Sequence, residues 1–183
     1  MLNKLEKKKV KELYQNHYCR DFPKKERQPY LWFMKLIKSG RQEIFEYKEE
    51  EKVKAYLIIV ETKEAIMLSY FAVYPEFRGQ GIGSKCLEEM KTKWKKPILL
   101  ECESIYDATS EEDKKTRERR VAFYQKANFT EVPLKRFEAF DVNYHLFSYG
   151  LTEKQRQEIK TILLTIYKKV LPSFLLYKIK IES

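Results

Sequence analysis

No stretch of this chain is long and apolar enough to cross a bilayer; the longest runs, such as Leu57 to Val60, are strand-sized. The N-terminus, Met1-Leu2-Asn3-Lys4, lacks the apolar segment of a secretion signal. Cysteine is sparse and odd in number. Cys19, Cys86 and Cys102 have no metal-ligand spacing and set up no disulfide framework, so free thiols in a reducing, cytoplasmic setting are expected. Proline and glycine nowhere gather into a linker, and no internal repeat or low-complexity tract interrupts the sequence. The 183 residues are therefore expected to form a single domain, 1–183, with a sizeable core. Histidine is scarce too: His17 ends a predicted helix and His145 sits among Tyr144, Leu146 and Phe147, where a packed histidine is expected. Nothing marks a histidine partner for Cys102, which argues against a cysteine nucleophile.

Charge, by contrast, is abundant. Lysine and arginine number 37 against 27 acidic residues, a formal net charge of +10. A basic surface attracts anions of many kinds. Here the lysines are spread along the whole chain and interleaved with acids, as in Lys48-Glu49-Glu50-Glu51-Lys52, and no arginine-rich block stands out. That pattern predicts a solvated surface, with neither nucleic acid nor membrane as partner.

The order of elements is legible. Helices are predicted over Leu5 to His17 and Pro29 to Ser39, then strands over Glu43 to Tyr47, Val53 to Val60 and Ala65 to Val73, joined by short charged connectors. A helix from Ile82 to Trp94 carries Ile82, Cys86, Leu87, Met90 and Trp94 on one face, and a strand Ile98 to Glu103 follows. This strand–helix–strand unit requires one right-handed parallel crossover. A further helix runs through Ala127, then strands Thr130 to Glu138 and Asp141 to Ser148 form a predicted hairpin. The last helix opens on a capping box, Thr152 with Gln155, and stops before Pro172. Its apolar stripe (Ile159, Ile162, Leu163, Ile166, Val170) predicts packing on the sheet, with a homodimer left open. The expected fold class is α/β (α+β): a mixed, mostly antiparallel sheet with helices on both faces.

Between Val73 and Ser84 the strand ends at Pro75, and Arg78-Gly79-Gln80-Gly81-Ile82-Gly83-Ser84 leads straight into the helix. Glycines let a backbone turn sharply and approach a ligand, and a helix N-terminus presents unpaired N–H groups and a positive dipole end. Together they predict an anion site suited to phosphates. A dinucleotide fingerprint, G-x-G-x-x-G, fails here because Ser84 holds the third glycine's place and too few alternating strands and helices remain. The pattern R-x-x-G-x-G is met by Arg78, Gly81 and Gly83. With Val73 and Pro75 before it, the segment resembles the acetyl-CoA-binding motif of the GNAT acyltransferase superfamily. Arg119-Arg120-Val121-Ala122-Phe123-Tyr124-Gln125-Lys126-Ala127-Asn128-Phe129 is similar to that family's later F-Y-x-K-x-G-F segment. Asn128 replaces the usual glycine at a helix end, where a left-handed backbone is expected and asparagine is the next best residue.

The resemblance covers roughly Glu43 to Tyr149 and leaves Leu151 to Ser183 as a C-terminal helical extension. It implies an acetyl-CoA-dependent N-acetyltransferase acting on a primary amine, by direct transfer in a ternary complex and without a metal. It implies a backbone contact to the pantetheine arm and acetyl carbonyl from Phe71, Ala72 and Val73. The pyrophosphate would be wrapped by Arg78, Gly79, Gln80, Gly81, Ile82, Gly83 and Ser84, and Lys126 is a candidate for the adenosine end. Arg117 stands where many members carry an asparagine. Tyr124 matches the tyrosine that donates a proton to the coenzyme sulfur.

An amine near its ordinary pKa is mostly protonated at neutral pH, so a base is needed. Strand alternation puts Glu101 and Glu103 on one face and Leu100 and Cys102 on the other. Glu101 matches the family's catalytic position and Glu103 is the alternative base. The resemblance puts the acceptor site among residues 22–39 and 135–144, where Tyr30, Trp32, Phe33, Phe137, Phe140 and Tyr144 could line it and Glu26 or Asp141 could hold a cation. Such a pocket suits a small molecule better than a polypeptide. A non-catalytic acyl-CoA-binding module, or a basic nucleic-acid-binding protein, are the competing readings.

Overall fold

The structure, a computed structural model, describes residues 1–182. Its strands are β1 (Leu2–Lys4), β2 (Glu43–Glu49), β3 (Lys52–Glu61), β4 (Ile66–Val73), β5 (Ile98–Glu103), β6 (Thr130–Val132), β7 (Arg136–Ala139), β8 (Val142–Tyr149) and β9 (Ile179–Glu182). They form one sheet in the order β1-β2-β3-β4-β5-β8-β7-β9, with β6 also paired to β8. Only β4 and β5 run parallel; the remaining pairs are antiparallel. The expected mixed, mostly antiparallel sheet with helices on both faces is thus present. β1 is short, three residues paired with β2.

The helices are α1 (Val10–Leu13), α2 (Cys19–Asp21), α3 (Tyr30–Lys38), α4 (Ile82–Lys93), α5 (Glu111–Lys126), α6 (Glu153–Gln157) and α7 (Ile159–Val170). A π turn over Tyr14–Tyr18 joins α1 to α2, so the first helical segment runs on beyond His17. Helices α4 and α5 cover one face, burying Ile82, Leu87, Met90 and Tyr124 against Leu57, Ile59, Leu68 and Leu100. The N-terminal helices and α3 cover part of the other face, through Leu13, Tyr18 and Phe33 against Tyr56 and Ile58. Helix α7 covers the rest, setting Ile159, Ile162, Leu163 and Ile166 on Met67, Leu99 and Leu146. The central β3 therefore shows no polar alternation, because both of its faces are buried.

Three elements differ from the sequence expectation. The strand expected over Thr130 to Glu138 is broken at Pro133, which has no N–H to donate to a ladder. The pieces go separate ways: β6 pairs with the far half of β8, while β7 takes Glu138↔Asn143 and Ala139↔Val142 and then adds β9 on its outer edge. β9 lies in what reads as a tail in sequence. Ile179 and Ile181 fill the core under α7, an anchoring that comes from pairing with β7 about forty residues away. The last helix is also in two pieces, α6 and α7, with the expected capping box of Thr152 and Gln155 in place.

The end of α5 is fixed by a Schellman motif. Asn128 has φ +60°, Phe129 N–H donates to Tyr124 O at 3.0 Å and Asn128 N–H to Gln125 O at 2.9 Å. The ring of Phe129 packs 6.1 Å from that of Tyr124. Asparagine therefore occupies the left-handed position, at a small cost. Asn128→Gly is expected to raise stability by about 0.5–1 kcal/mol, readable as a higher denaturant midpoint.

Candidate active site

The site begins with a β-bulge. The β3–β4 register passes from Ile58↔Tyr70 to Ile59↔Leu68 and leaves Ser69 without a partner. One extra residue reverses the alternation beyond it. Ile66 and Leu68 face α4, but after the bulge it is Phe71 and Val73 that do so, while Tyr70 and Ala72 turn to the opposite face. The β4–β5 ladder ends just there, at Leu68↔Leu100. From Ser69 onward β4 and β5 part, leaving a wedge-shaped opening in the sheet.

Strand alternation decides which backbone groups face that opening. Tyr74 N–H donates to Lys54 O at 2.9 Å, so Tyr74, Ala72 and Tyr70 spend their peptide groups on β3. Phe71 and Val73 therefore present theirs to the opening. Arg78 Nε occupies one of these, donating to Val73 O at 3.0 Å. Of the three residues expected to offer backbone contacts, Phe71 and Val73 have peptide groups facing the opening, whereas Ala72 spends its own on β3.

At the mouth of the opening lies the glycine turn. Gly79 and Gly81 have φ of +74° and +75°, a left-handed backbone that side chains adopt only with strain. The first intrahelical bond of α4 is Lys85 N–H to Gly81 O, so the N–H groups of Ile82, Gly83 and Ser84 lack helical acceptors and point outward. Gly83 is needed for another reason. A Cβ there would meet Phe123 Cζ at 3.0 Å, so glycine lets α5 pack against the start of α4. On the exposed flank of α5, Lys115, Arg119, Ala122 and Lys126 share one face by helical spacing. The first three, with Glu118, line a groove of about 530 Å³. Lys126 is exposed in the last turn of this helix, which carries Phe123 against Gly83.

Glu101 lies on the opposite face of the sheet from α4. Its Oε1 accepts a hydrogen bond from Tyr167 Oη at 2.5 Å. Burial pushes its pKa up to about 7, with the Tyr167 bond pulling the other way. Two more phenols, Tyr70 and Tyr144, stand close enough to have their ionisation disfavoured first by burial and then by nearby groups that include Glu101. Tyr70 Oη itself donates to Glu26 O at 2.8 Å. Glu26 lies close by, its pKa raised by burial and by the Glu103 carboxylate.

Glu103, two residues along, has a different environment. Arg117 Nη2 lies 3.4 Å from its Oε1, Arg120 Nη1 3.4 Å from Oε2 and Lys25 Nζ 3.8 Å from Oε1. Arg117 is itself buried and also bonds Ser104 O at 2.6 Å and Asp113 Oδ1 at 3.0 Å. It ties α5 to the end of β5. The two carboxylates that the sequence left as alternatives are thus separated by their surroundings: Glu103 is paired with three cations, and Glu101 sits among phenols.

Tyr124 is buried on the α4 side, beside Cys102. Burial and then the neighbouring Cys102 raise the pKa of its phenol above the ordinary value, so it stays protonated at neutral pH. Among the described residues its hydroxyl makes no hydrogen bond.

Of the expected acceptor-site aromatics, Tyr144 is brought to Glu101. Phe33 and Phe137 are core residues, Tyr30 packs edge-on against Tyr14 at 5.0 Å, and Phe140 is exposed at the β7–β8 turn. Trp32 Nε1 donates to Val170 O at 3.0 Å, tying α3 to the end of α7. Asp141 pairs with Lys178 at 2.9 Å at that turn. His145 is satisfied by Glu131 at 2.6 Å, and His17 stacks on Tyr74 at 4.4 Å. The sequence did not single out Tyr70, Tyr167 or the tie made by Arg117. Tyr70 is hidden by the bulge, and Tyr167 sits at the margin of an apolar stripe that reads as core. Among the described residues, no group of three or more His, Cys, Asp and Glu converges as a metal site would, and no helix is long and apolar enough to cross a membrane.

Comparison with known proteins converges on one family. The family described as "Acetyltransferase (GNAT) domain" matches residues 40–131. "Putative acetyltransferase YjbC" of Bacillus subtilis (strain 168) is 31% identical over 126 residues, covering 69% of this chain and 58% of that protein's length. Among solved structures, "Putative acetyltransferase from GNAT family" of Bacteroides thetaiotaomicron superposes with a TM-score of 0.78 at 18% identity, over 92% of this chain and 96% of that one. "IAA acetyltransferase" of Bacillus cereus ATCC 14579 gives 0.56 at 14% identity, over 82% and 99%. The ribosomal-protein-S18-alanine N-acetyltransferase of Escherichia coli gives 0.52 at 18%, over 81% and 91%. At these identities the structural likeness speaks to the fold alone. The matched motif region and the mixed sheet with its single parallel β4–β5 pair together make this chain a member of the GNAT acetyltransferase family.

Proposed function

We propose that this protein transfers an acetyl group from acetyl-CoA to a primary amine of a small molecule, directly, within a ternary complex. The observation that carries the reading is the opening between β4 and β5. It has a backbone cradle for phosphates at its mouth, a protonated phenol on one face and a carboxyl tuned near neutrality on the other.

The residues fit the coenzyme as a donor. Phe71 and Val73 would hold the pantetheine arm as an added strand, and the free N–H groups from Gly79 to Ser84 would bind the pyrophosphate. Arg119 lines the groove on α5, Lys126 follows on the same helix face by spacing, and the adenosine end would lie there. Acetyl-CoA supplies the activated acyl group as a thioester. The chain's own part is to move two protons and to hold one developing charge. Glu101 takes a proton from the incoming ammonium or amine, directly or through a water. A backbone N–H of Phe71 or Val73 meets the carbonyl oxygen. Tyr124 Oη gives its proton to the departing sulfur, for which a phenol is well matched. Since the two candidates lie on opposite faces of the sheet, donor and acceptor can approach from opposite sides, as direct transfer requires.

The small-molecule acceptor rests on the surroundings of Glu101. Tyr167 bonds Glu101, Tyr70 and Tyr144 are near enough to feel its charge, and Glu26 accepts from Tyr70 through its backbone carbonyl, so aromatic rings and carboxyls rather than an open polypeptide track surround the candidate base. Glu26 could pair with a second cationic group of the acceptor.

Calorimetry with acetyl-CoA tests the reading. Wild-type protein is expected to bind. Gly81→Glu strains a left-handed position and adds a like charge, and Gly83→Glu runs into Phe123; each is expected to weaken binding by about tenfold or more while the fold persists by circular dichroism. A well-folded wild type that binds no acetyl-CoA overturns the proposal.

A further inference from the structure

Helix α7 lies outside residues 40–131, the span matched by the family, yet its Tyr167 reaches Glu101. The helix is firmly placed. Trp32 holds its Val170 carbonyl, Leu171 N–H donates to Tyr167 O at 2.7 Å, and Lys169 Nζ bonds Glu61 O at 2.5 Å. The ring of Tyr167 is buried and flanked by Phe137 at 6.5 Å. Its hydroxyl is therefore delivered to Oε1 by the packing of the whole C-terminal segment.

We propose that Tyr167 is a positioning residue for Glu101: its hydroxyl fixes Oε1 and leaves Oε2 as the oxygen that meets the acceptor amine. This rests on the acyl-transfer reading above. Several groups face Glu101 or its surroundings. Tyr167 comes from α7, Tyr70 from β4 and Tyr144 from β8; Glu103 lies on the same strand and Glu26 on the segment before α3. The cations nearby, Arg117, Arg120 and Lys25, are engaged by Glu103. Among the described residues, Tyr167 is the hydrogen-bond donor to Glu101. Donation to a carboxylate favours the ionised form, opposing the burial that disfavours it. A family-type base is thus given its working pH by a helix that lies outside the span matched to that family.

The test is the pH dependence of kcat/KM for wild type, Tyr167→Phe and Glu101→Gln, with carbon-13 titration of the Glu101 carboxyl as a readout independent of turnover. In Tyr167→Phe the acidic limb and the carboxyl midpoint are both expected to move up by about one pH unit. Activity at pH 7 would then fall by roughly fivefold and return towards wild type near pH 9. Incorporation of 3-fluorotyrosine at position 167, a more acidic donor, should move both down. An unmoved limb and midpoint, with Glu101→Gln inactive, overturns the role of Tyr167 alone, as does an activity loss equal at every pH. An active Glu101→Gln overturns the assignment of the base and this inference with it.

Discussion

Glu101→Gln is expected to lower kcat/KM by about 10²–10⁴-fold, the usual range for removing a positioned base, and to abolish the acidic limb near pH 7. Glutamine keeps the acceptor that Tyr167 bonds and nearly the same volume, so the fold should persist and acetyl-CoA binding should be little changed. The same variant should be more stable than wild type at pH 8. The folded-state pKa of Glu101 is raised from an ordinary value of 4.5 to about 7. A raised carboxyl contributes stability that is fully present below the unfolded pKa and is lost as pH rises through the folded one. Between about pH 4.5 and 7 wild-type stability should therefore decline relative to Glu101→Gln, by about 1–3 kcal/mol in all, allowing for the access to solvent that the carboxyl keeps. Thermal unfolding at pH 5 and pH 8, alongside turnover, checks both halves. A variant with lowered activity and unchanged stability at pH 8 would show that Glu101 ionises without penalty, against the environment described here. A variant with full activity would remove Glu101 from the chemistry.

Arg117→Met is expected to be the most damaging single change next to the site. The guanidinium is buried and joins Glu103, Asp113 and the Ser104 carbonyl. Methionine fills similar volume but leaves the buried Glu103 carboxylate with only Arg120 and Lys25, and takes the shorter of two hydrogen bonds from the Ser104 carbonyl, which keeps the Asp107 N–H at 3.3 Å. Breaking such a group costs roughly 2–4 kcal/mol, somewhat less than for an isolated buried pair because two cations remain. That corresponds to a drop in Tm of about 5–12 °C for a chain of this size. Because Arg117 anchors the start of α5 to β5, kcat/KM should also fall as Tyr124 and Glu101 lose their fixed separation, while binding at the glycine turn persists. Unchanged Tm would mean that Arg120 and Lys25 suffice to hold Glu103.

Much of this was legible beforehand because it is local. The glycine turn announces itself through residues suited to a left-handed backbone, and Gly79 and Gly81 adopt that backbone. Asn128 could be placed at positive φ because a helix end asks for it. The strand Ile98 to Glu103 has the bounds that its sequence predicts, and period-two alternation places Glu101 and Glu103 on one face. The α7 stripe was readable from its spacing, and it packs on its own sheet.

Non-local choices were not legible. Alternation could not say which of Glu101 and Glu103 would be neutralised by cations, since Arg117, Arg120 and Lys25 come from other elements. The bulge at Ser69 reverses the side-chain parity of β4 without any glycine to mark it, so that Phe71 and Val73, but not Ala72, face the opening. Four residues of the tail became β9 because β7 offered an open edge. Tyr167 meets Glu101 across 66 positions of sequence, through the packing of α7 on the sheet. Sequence by itself determined most of the elements, the left-handed glycine turn and the shared face of Glu101 and Glu103, because these depend on backbone preference and short spacing. Tertiary structure alone decided the electrostatic setting of each carboxyl, because burial and charge partners are set by residues that only the fold brings together.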